Sequence, residues 1–382
     1  MRAVGIICEY NPFHAGHAHL LERVRAAGAE TVICLMSGNF VQRGEAAVLP
    51  PVARAEMALA AGADLVLKLP FPYAAASARY FATAGVRALA RLGCDTLAFG
   101  SESADRAALL ACAQQLNTPE VLDRVKAAAP ETGDAAALFA ALPSPPASND
   151  ILALEYTRAI LDETLPMEIY PVLRVGSAYR AEELGGEFPS ATALRAMLAR
   201  GEEITAILPP VVRDIWDRAR RERGIADISR LGGAMLSLLR SGRDLSGFAD
   251  CGGGLSAHLA RAAAEATDYA SLCRAAATKR YTDGRIRRAL LALLAGVTRE
   301  DVAAPVAYLR LLGANEVGRE FLSKTRKTRT VPVVTKQADI AALGEGAARA
   351  RALAAVSDGL YALCLGGDTL PAELSTAPPV MR

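Results

Sequence analysis

Short unbroken apolar runs alternate along the first hundred residues with longer stretches whose apolar positions recur every three or four. The runs at residues 3–8, 31–36, 64–69 and 95–99 are too short for buried helices and lack polar alternation. They read as strands covered on both faces. Helices are predicted between them at 16–27, 52–61 and 77–92. Such alternation predicts an α/β fold with a doubly wound parallel sheet. Ligands of such sheets lie outside the carboxyl ends of the strands. Chemistry is therefore expected in the loops after Cys8, Met36, Leu69 and Phe99. Further helical character appears over 104–141, then a break rich in Pro, Ser and Ala at 143–148. A helix over 150–161, a strand over 168–174 and a helix over 189–200 follow. Beyond Gly201 strand signals nearly vanish, and 211–224, 256–266, 285–295 and 345–364 read as helices. Pro209-Pro210 marks the division, giving one domain over 1–205 and a mostly helical one over 206–382.

Composition narrows the class. The 382 residues are 52% hydrophobic and 22% charged, which excludes a mainly disordered chain. No apolar run approaches the roughly 18–20 residues of a membrane span, so no membrane partner is expected. The opening residues read as a strand rather than a signal peptide. The seven cysteines form no CxxC pair, which argues against a disulfide framework or zinc site and for a reducing cytoplasm. The net charge of +2 conceals −4 over residues 1–200 and +6 over the rest. That imbalance makes the second half the candidate for meeting a polyanion.

Three of the four histidines, His14, His17 and His19, fall within six residues just after the first strand. With a helix starting near Gly16, His14 and His17 lie about one turn apart at its N-terminus. Unpaired N–H groups and a partial positive charge there suit phosphate. Imidazole donors at that place would also stabilise charge on an α-phosphate under attack. A surface loop without function is the alternative reading of HxxH. No third ligand at a known spacing supports a metal site.

Polar clusters mark the other strand ends. Ser37 to Glu45 follows strand two, and Gly100-Ser101-Glu102 follows strand four, where a glycine gives room for a base or ribose or simply makes a turn. Ser148-Asn149-Asp150 opens a helix, and Arg174 ends a strand. Ser190, Thr192 and Arg195 form a second phosphate cradle or a helix cap. In the second half Arg274, Lys279, Arg280, Arg285, Arg287 and Arg288 gather around Tyr281, a stacking candidate. Lys324, Arg326 and Lys327 belong to another basic run. Such clusters bind RNA backbone or form solvated helix faces.

These segments together resemble the HxGH nucleotidyltransferase superfamily, and within it the bacterial tRNA(Met) cytidine acetate ligase family. The likeness rests on Gly5-Ile6-Ile7-Cys8-Glu9-Tyr10-Asn11-Pro12-Phe13-His14-Ala15-Gly16-His17, on Ser37-Gly38-Asn39-Phe40-Val41-Gln42-Arg43-Gly44-Glu45, on Phe99 to Glu102, on Asn149 to Tyr156, and on Arg174 to Tyr179 with Ser190 to Arg195. It continues faintly through Thr278 to Thr282, Arg285 to Arg288 and Tyr308 to Gly313. The resemblance implies that ATP and acetate form acetyl-adenylate with loss of pyrophosphate, and that the acetyl group passes to N4 of the wobble cytidine of elongator tRNA(Met). It implies ATP contacts at Ile7, Cys8, Glu9, Tyr10, Asn11, Pro12, Phe13, His14, Ala15, Gly16, His17, Ala18, His19 and Leu20, and at Gly100, Asn149, Arg174 and Val175. Mg²⁺ is expected with the triphosphate, and His14 and His17 are expected to be the catalytic pair. Pro50-Pro51, where a polar pair is expected, and Lys68, where an acid is expected, depart from the family pattern and bear on the acyl pocket. The competing readings are an adenylyltransferase acting on a phosphorylated cofactor precursor and a non-catalytic RNA-binding protein.

Overall fold

Strands β1 (Ala3–Cys8), β2 (Thr31–Ser37), β3 (Leu65–Leu69), β4 (Thr96–Ser101) and β5 (Glu168–Leu173) run parallel in the spatial order β5-β4-β1-β2-β3. The computed structural model describes residues 2–116, 118–132, 138, 140, 150–174, 189–367 and 379–381. The chain winds outward from β1 in both directions, so a crevice opens at the carboxyl ends of β1 and β4. Successive side chains serve opposite faces. Ile7, Ile33, Leu35, Leu67 and Leu97 pack under α3 (Ala78–Leu92) and α6 (Asp150–Asp162), beyond α4 (Arg106–Gln115) and α5 (Pro119–Thr132) in sequence. Val4, Ile6, Cys34, Met36 and Val66 face α1 (Ala15–Ala26), α2 (Pro51–Ala60), α7 (Ala191–Ala199) and α8 (Pro210–Arg223), with Trp216 wholly buried among them. Pro50 and Pro51 begin α2, with Pro51 at its first position, where a missing N–H costs nothing.

The strands did not end at residue 200. β6 (Leu309–Ala314) lies antiparallel against β3, and β7 (Val333–Val334) and β8 (Val380–Met381) run parallel to β6. Arg310 and Gly313 interrupt the apolar run of β6, which hides it from a pattern reading. The second half thus finishes the first half's sheet.

Helices α9 (Gly232–Leu239), α10 (Leu255–Glu265), α11 (Tyr269–Ala276), α12 (Asp283–Ala295) and α13 (Arg299–Ala303) follow α8. With α15 (Glu345–Cys364) they enclose a core that includes Met235, Leu259, Ile286, Leu290 and Tyr361. Phe40 and Phe71, from the loops after β2 and β3, belong to that same core; the Phe40 ring meets Tyr361 edge-on at 6.0 Å. The remaining helix, α14 (Glu316–Lys324), sits at the amino ends of the strands. Asn315 there donates to Asp64 at 2.8 Å, and a Cβ on Gly318 would stand 2.1 Å from the Asp64 carbonyl oxygen. No described helix is long and apolar enough to cross a membrane.

Candidate active site

His14 closes the amino end of α1 with its own ring. Its Nδ1 accepts the Gly16 N–H at 3.0 Å, and the His14 N–H in turn donates to Nδ1 of His17 at 3.2 Å. The two rings stack with centroids 3.8 Å apart. Tyr10 meets His17 edge-on at 4.8 Å and Phe13 at the same distance, so an aromatic bed fixes the pair from below. Tyr10 takes a left-handed backbone at φ 49° and buries its hydroxyl against the Cys34 thiol, 3.2 Å away. Glycine at position 16 is dictated by the His14 ring, because a Cβ there would lie 2.9 Å from His14 Cε1. The close approach that Gly16 allows is thus made by a side chain of the protein.

Because each Nδ1 accepts a hydrogen bond, each neutral ring carries its proton on Nε2. Burial, with the positive charges of Arg174 and Arg195, pushes His14 down to about 4. Burial, then His14 and Arg174, holds His17 well below the usual imidazole range. The pair is therefore uncharged at neutral pH and offers two N–H donors held in fixed relation. One correction follows for the helix terminus itself: the Gly16 N–H is already bonded, so donation from this place falls mainly to the rings.

Arg174 is near enough to shift both rings and Arg195 to shift His14, although both come from distant segments. The stem of Arg174 lies over Gly100, where a Cβ would be 3.2 Å from its Cγ. The space above that glycine, expected to receive a base or ribose, is thus shared with an arginine. Beside it Asp150 accepts from the Ser101 hydroxyl and the Glu102 N–H, each at 2.9 Å, which pins the β4 loop to α6. Arg195 donates to the Asn11 carbonyl at 2.8 Å and pairs through Nε with Glu45 at 3.1 Å. Thr192 accepts from Arg195 at 3.4 Å, and Ser190 caps α7 through the Ala193 N–H at 3.2 Å. Of the second cradle, Ser190 is spent on capping and Arg195 faces the histidine loop.

The rest of the opening motif divides into frame and lining. Ile7, Cys8, Pro12 and Phe13 are buried, and Cys8 and Phe13 belong to the core beneath α1. Ala15, Ala18 and Leu20 are half-buried along α1, and His19 stands apart from the pair, next to Arg23 and Glu22. Glu9 accepts the Gln42 N–H at 2.8 Å, and burial raises its carboxyl. Asn11 accepts the Val48 N–H at 2.7 Å and leaves its Nδ2 donor buried with no partner among the described residues. Asn149 and Val175 lie outside the described residues.

Arg54 was missed by motif reasoning. It is 1% exposed, and its guanidinium donates to the carbonyls of Leu49 (2.9 Å), Glu9 (2.6 Å), Ser37 (3.1 Å) and Gly38. It joins the loops after β1 and β2, and only an arginine carries enough donors for the task. Lys68, the other departure, finds its acid elsewhere in the chain: Asp358 of α15 lies 3.6 Å from its Nζ and accepts from Asn39 at 2.6 Å.

The basic runs separate. Arg287 pairs with Glu45 and Arg288 with Asp250 at 2.9 Å, while Arg285 donates to the Gly252 carbonyl at 2.7 Å. The Arg287–Glu45 pair joins the two halves, with the backbone at Arg287 and Arg288 directly against Gly44, whereas Arg285 and Arg288 brace the second half internally. Tyr281 is no stacking platform: it is 8% exposed, donates to the Gly253 carbonyl at 2.7 Å, and has Arg280 and Arg285 near its ring. Arg274 and Lys279 are exposed. Lys324, Arg326 and Lys327 are exposed too, but they follow α14 at the amino ends of the strands, opposite the histidines. Among the described residues no group of three or more His, Cys, Asp and Glu side chains could hold a metal ion.

Residues 1–366 match the HIGH Nucleotidyl Transferase family. The tRNA(Met) cytidine acetate ligase of Syntrophotalea carbinolica is 40% identical over 360 residues, covering 88% of this chain and 85% of that protein. That of Acetivibrio thermocellus is 34% identical over 371 residues, with 89% of each covered. The crystal structure of Thermotoga maritima TmcAL bound with alpha-thio ATP superposes with a TM-score of 0.89 at 27% identity, over 100% of this chain and 99% of that one.

Proposed function

The chain belongs to the tRNA(Met) cytidine acetate ligase family of HIGH nucleotidyl transferases, and we propose that it is an ATP-dependent, AMP-forming ligase that acetylates N4 of the wobble cytidine of elongator tRNA(Met). The observation that carries the reading is the neutral His14–His17 pair at the sheet's switch point, with Arg174 and Arg195 acting on it from two further segments.

In the first step an acetate oxygen attacks the α-phosphorus of ATP and pyrophosphate leaves. Acetate is already ionised at neutral pH, so the protein has no nucleophile to activate. The obstacle is repulsion between two anions and the charge that builds on the phosphate. Nε2–H groups fixed before the substrate arrives stabilise that charge without reorganising. Arg174 and Arg195 add positive charge beside them, and the Asn11 amide supplies a further donor at the same loop. In the second step the cytidine amine attacks the acetyl carbonyl, and the carbon–oxygen bond to AMP breaks.

His14, His17, Asn11, Gly100, Arg174, Thr192 and Arg195 are the ATP-facing set in this reading, and the buried Ile7, Cys8 and Phe13 are its frame. Mg²⁺ would come in with the triphosphate as its counter-ion, its usual mode, and would offset charge beside the histidine pair. Residues 1–205 carry the reaction. Residues 206–382 carry the RNA-facing surface, with Arg274 and Lys279 as exposed cations of the helical half. The reaction is placed in the cytoplasm, where tRNA and ATP are found. Pyrophosphate release from ATP that requires acetate supports this function. Release that instead requires a phosphorylated small-molecule acceptor contradicts it.

A further inference from the structure

A hollow lies beyond the β2 loop, walled by β3, β6 and α15. Its volume is about 230 Å³. A small separate core of Tyr308, Val334, Ile340 and Ala347 builds one side of it, so the walls are fixed rather than loosely surface-lying. Lys68, Arg310, Lys336 and Arg351 face it, against the single carboxylate of Asp358. That carboxylate is already engaged by Lys68 at 3.6 Å and by the Asn39 amide at 2.6 Å. The lining is thus strongly positive. Like charges around a partly enclosed space repel more than they would in open water, because the local dielectric is low. The effect is visible on Lys68, whose ammonium is held below its usual range by burial and, against the pull of Asp358, by the charge of Arg310.

We propose that this pocket binds a phosphate group carried on a small organic body. Guanidinium groups grip phosphate oxygens in pairs, and ammonium groups add charge. The hollow is larger than a bare phosphate needs and smaller than the roughly 300–1,000 Å³ of sites for drug-sized ligands. Pro70, Phe71 and Ala355 supply an apolar wall for the remainder of the ligand. A free nucleotide and a phosphate of RNA both present this chemistry. The site is separate from the reacting one: Lys68 stands on β3, two strands from β1, or roughly 10 Å at the usual strand spacing. The proposal stands whether or not the acetylation reading holds.

The test is calorimetric titration of the whole chain with inorganic phosphate. It compares wild type with Arg351→Gln and Lys336→Gln, both at exposed positions, and with His14→Ala. Melting curves check that each variant is folded. The expected result is a binding event that survives His14→Ala and weakens at least tenfold in Arg351→Gln or Lys336→Gln. Displacement of phosphate by AMP would identify a free nucleotide as the ligand, and displacement by an RNA trinucleotide would identify a tRNA phosphate. Either supports the site. Wild-type affinity in both pocket variants, or phosphate binding that disappears with His14→Ala, overturns it.

Discussion

His14 and His17 stack at 3.8 Å, yet neither ring relies on the other for its hydrogen bond: each Nδ1 is spent on a backbone N–H at the start of α1. The tautomer of both rings is therefore written into the backbone of one helical turn. Protonation would set an Nδ1–H against a backbone N–H in each case, and would add charge to a buried pair flanked by two arginines. The pair is built to donate while remaining neutral.

This arrangement has a signature in stability. The pKa of His14 is about 4 in the folded chain, below an unfolded value near 6.5. Between these values the unfolded chain binds the extra proton, so its contribution is intact above about pH 6.5 and is lost as pH falls through 4. The difference is worth roughly 3 kcal/mol, and His17 shifts the same way. Urea unfolding from pH 7.5 to 4 should show falling stability, with a shallower slope in His14→Asn. An unchanged slope in that variant would contradict the buried neutral ring.

Lys68 and Asp358 join β3 to α15 across 290 residues of sequence, and both are nearly inaccessible. Removing one partner of a buried pair leaves a charge without compensation and typically costs about 3–5 kcal/mol. Lys68→Met and Asp358→Asn should each destabilise by that order, and the double variant by clearly less than their sum. Additive losses in a double-mutant cycle would mean that the pair is not coupled.

The first-half fold was readable because the sheet is buried on both faces, so its strands appear as bare apolar runs. The histidine pair was readable because HxGH follows β1 directly. Other features depended on pairings far apart in sequence. β6 carries an arginine and a glycine and takes its place only by pairing with β3. Arg54 looked like an ordinary helix residue, and its role appears once the loops after β1 and β2 converge on its guanidinium. Lys68 read as a departure because its acid lies in α15. Charge counting also failed to separate structural arginines from exposed ones: Arg287 and Arg288 sit in the same basic run as Lys279 but are tied to Glu45 and Asp250.

The RNA surface can be located by the same distinction. Arg274→Glu with Lys279→Glu, two exposed cations of the helical half, should weaken tRNA binding and reduce the salt slope by about one for each phosphate that is no longer neutralised. Lys324→Glu with Lys327→Glu, at the amino ends of the strands, should have the smaller effect. Filter binding over a range of salt checks both. A larger loss of affinity from the second pair would put the RNA on the amino-end side.

The most direct measurement is mass analysis of nucleosides from tRNA(Met) incubated with the protein and labelled acetate. With ATP and Mg²⁺ present, label should appear as N4-acetylcytidine, and acetyl-coenzyme A without ATP should give none. His14→Ala and His17→Ala should each lower the rate about 10²–10³-fold, the usual cost of one preorganised donor at a reacting oxyanion. N4-acetylcytidine formed from acetyl-coenzyme A without ATP, or formed at wild-type rates by both histidine variants, would contradict activation at the histidine pair.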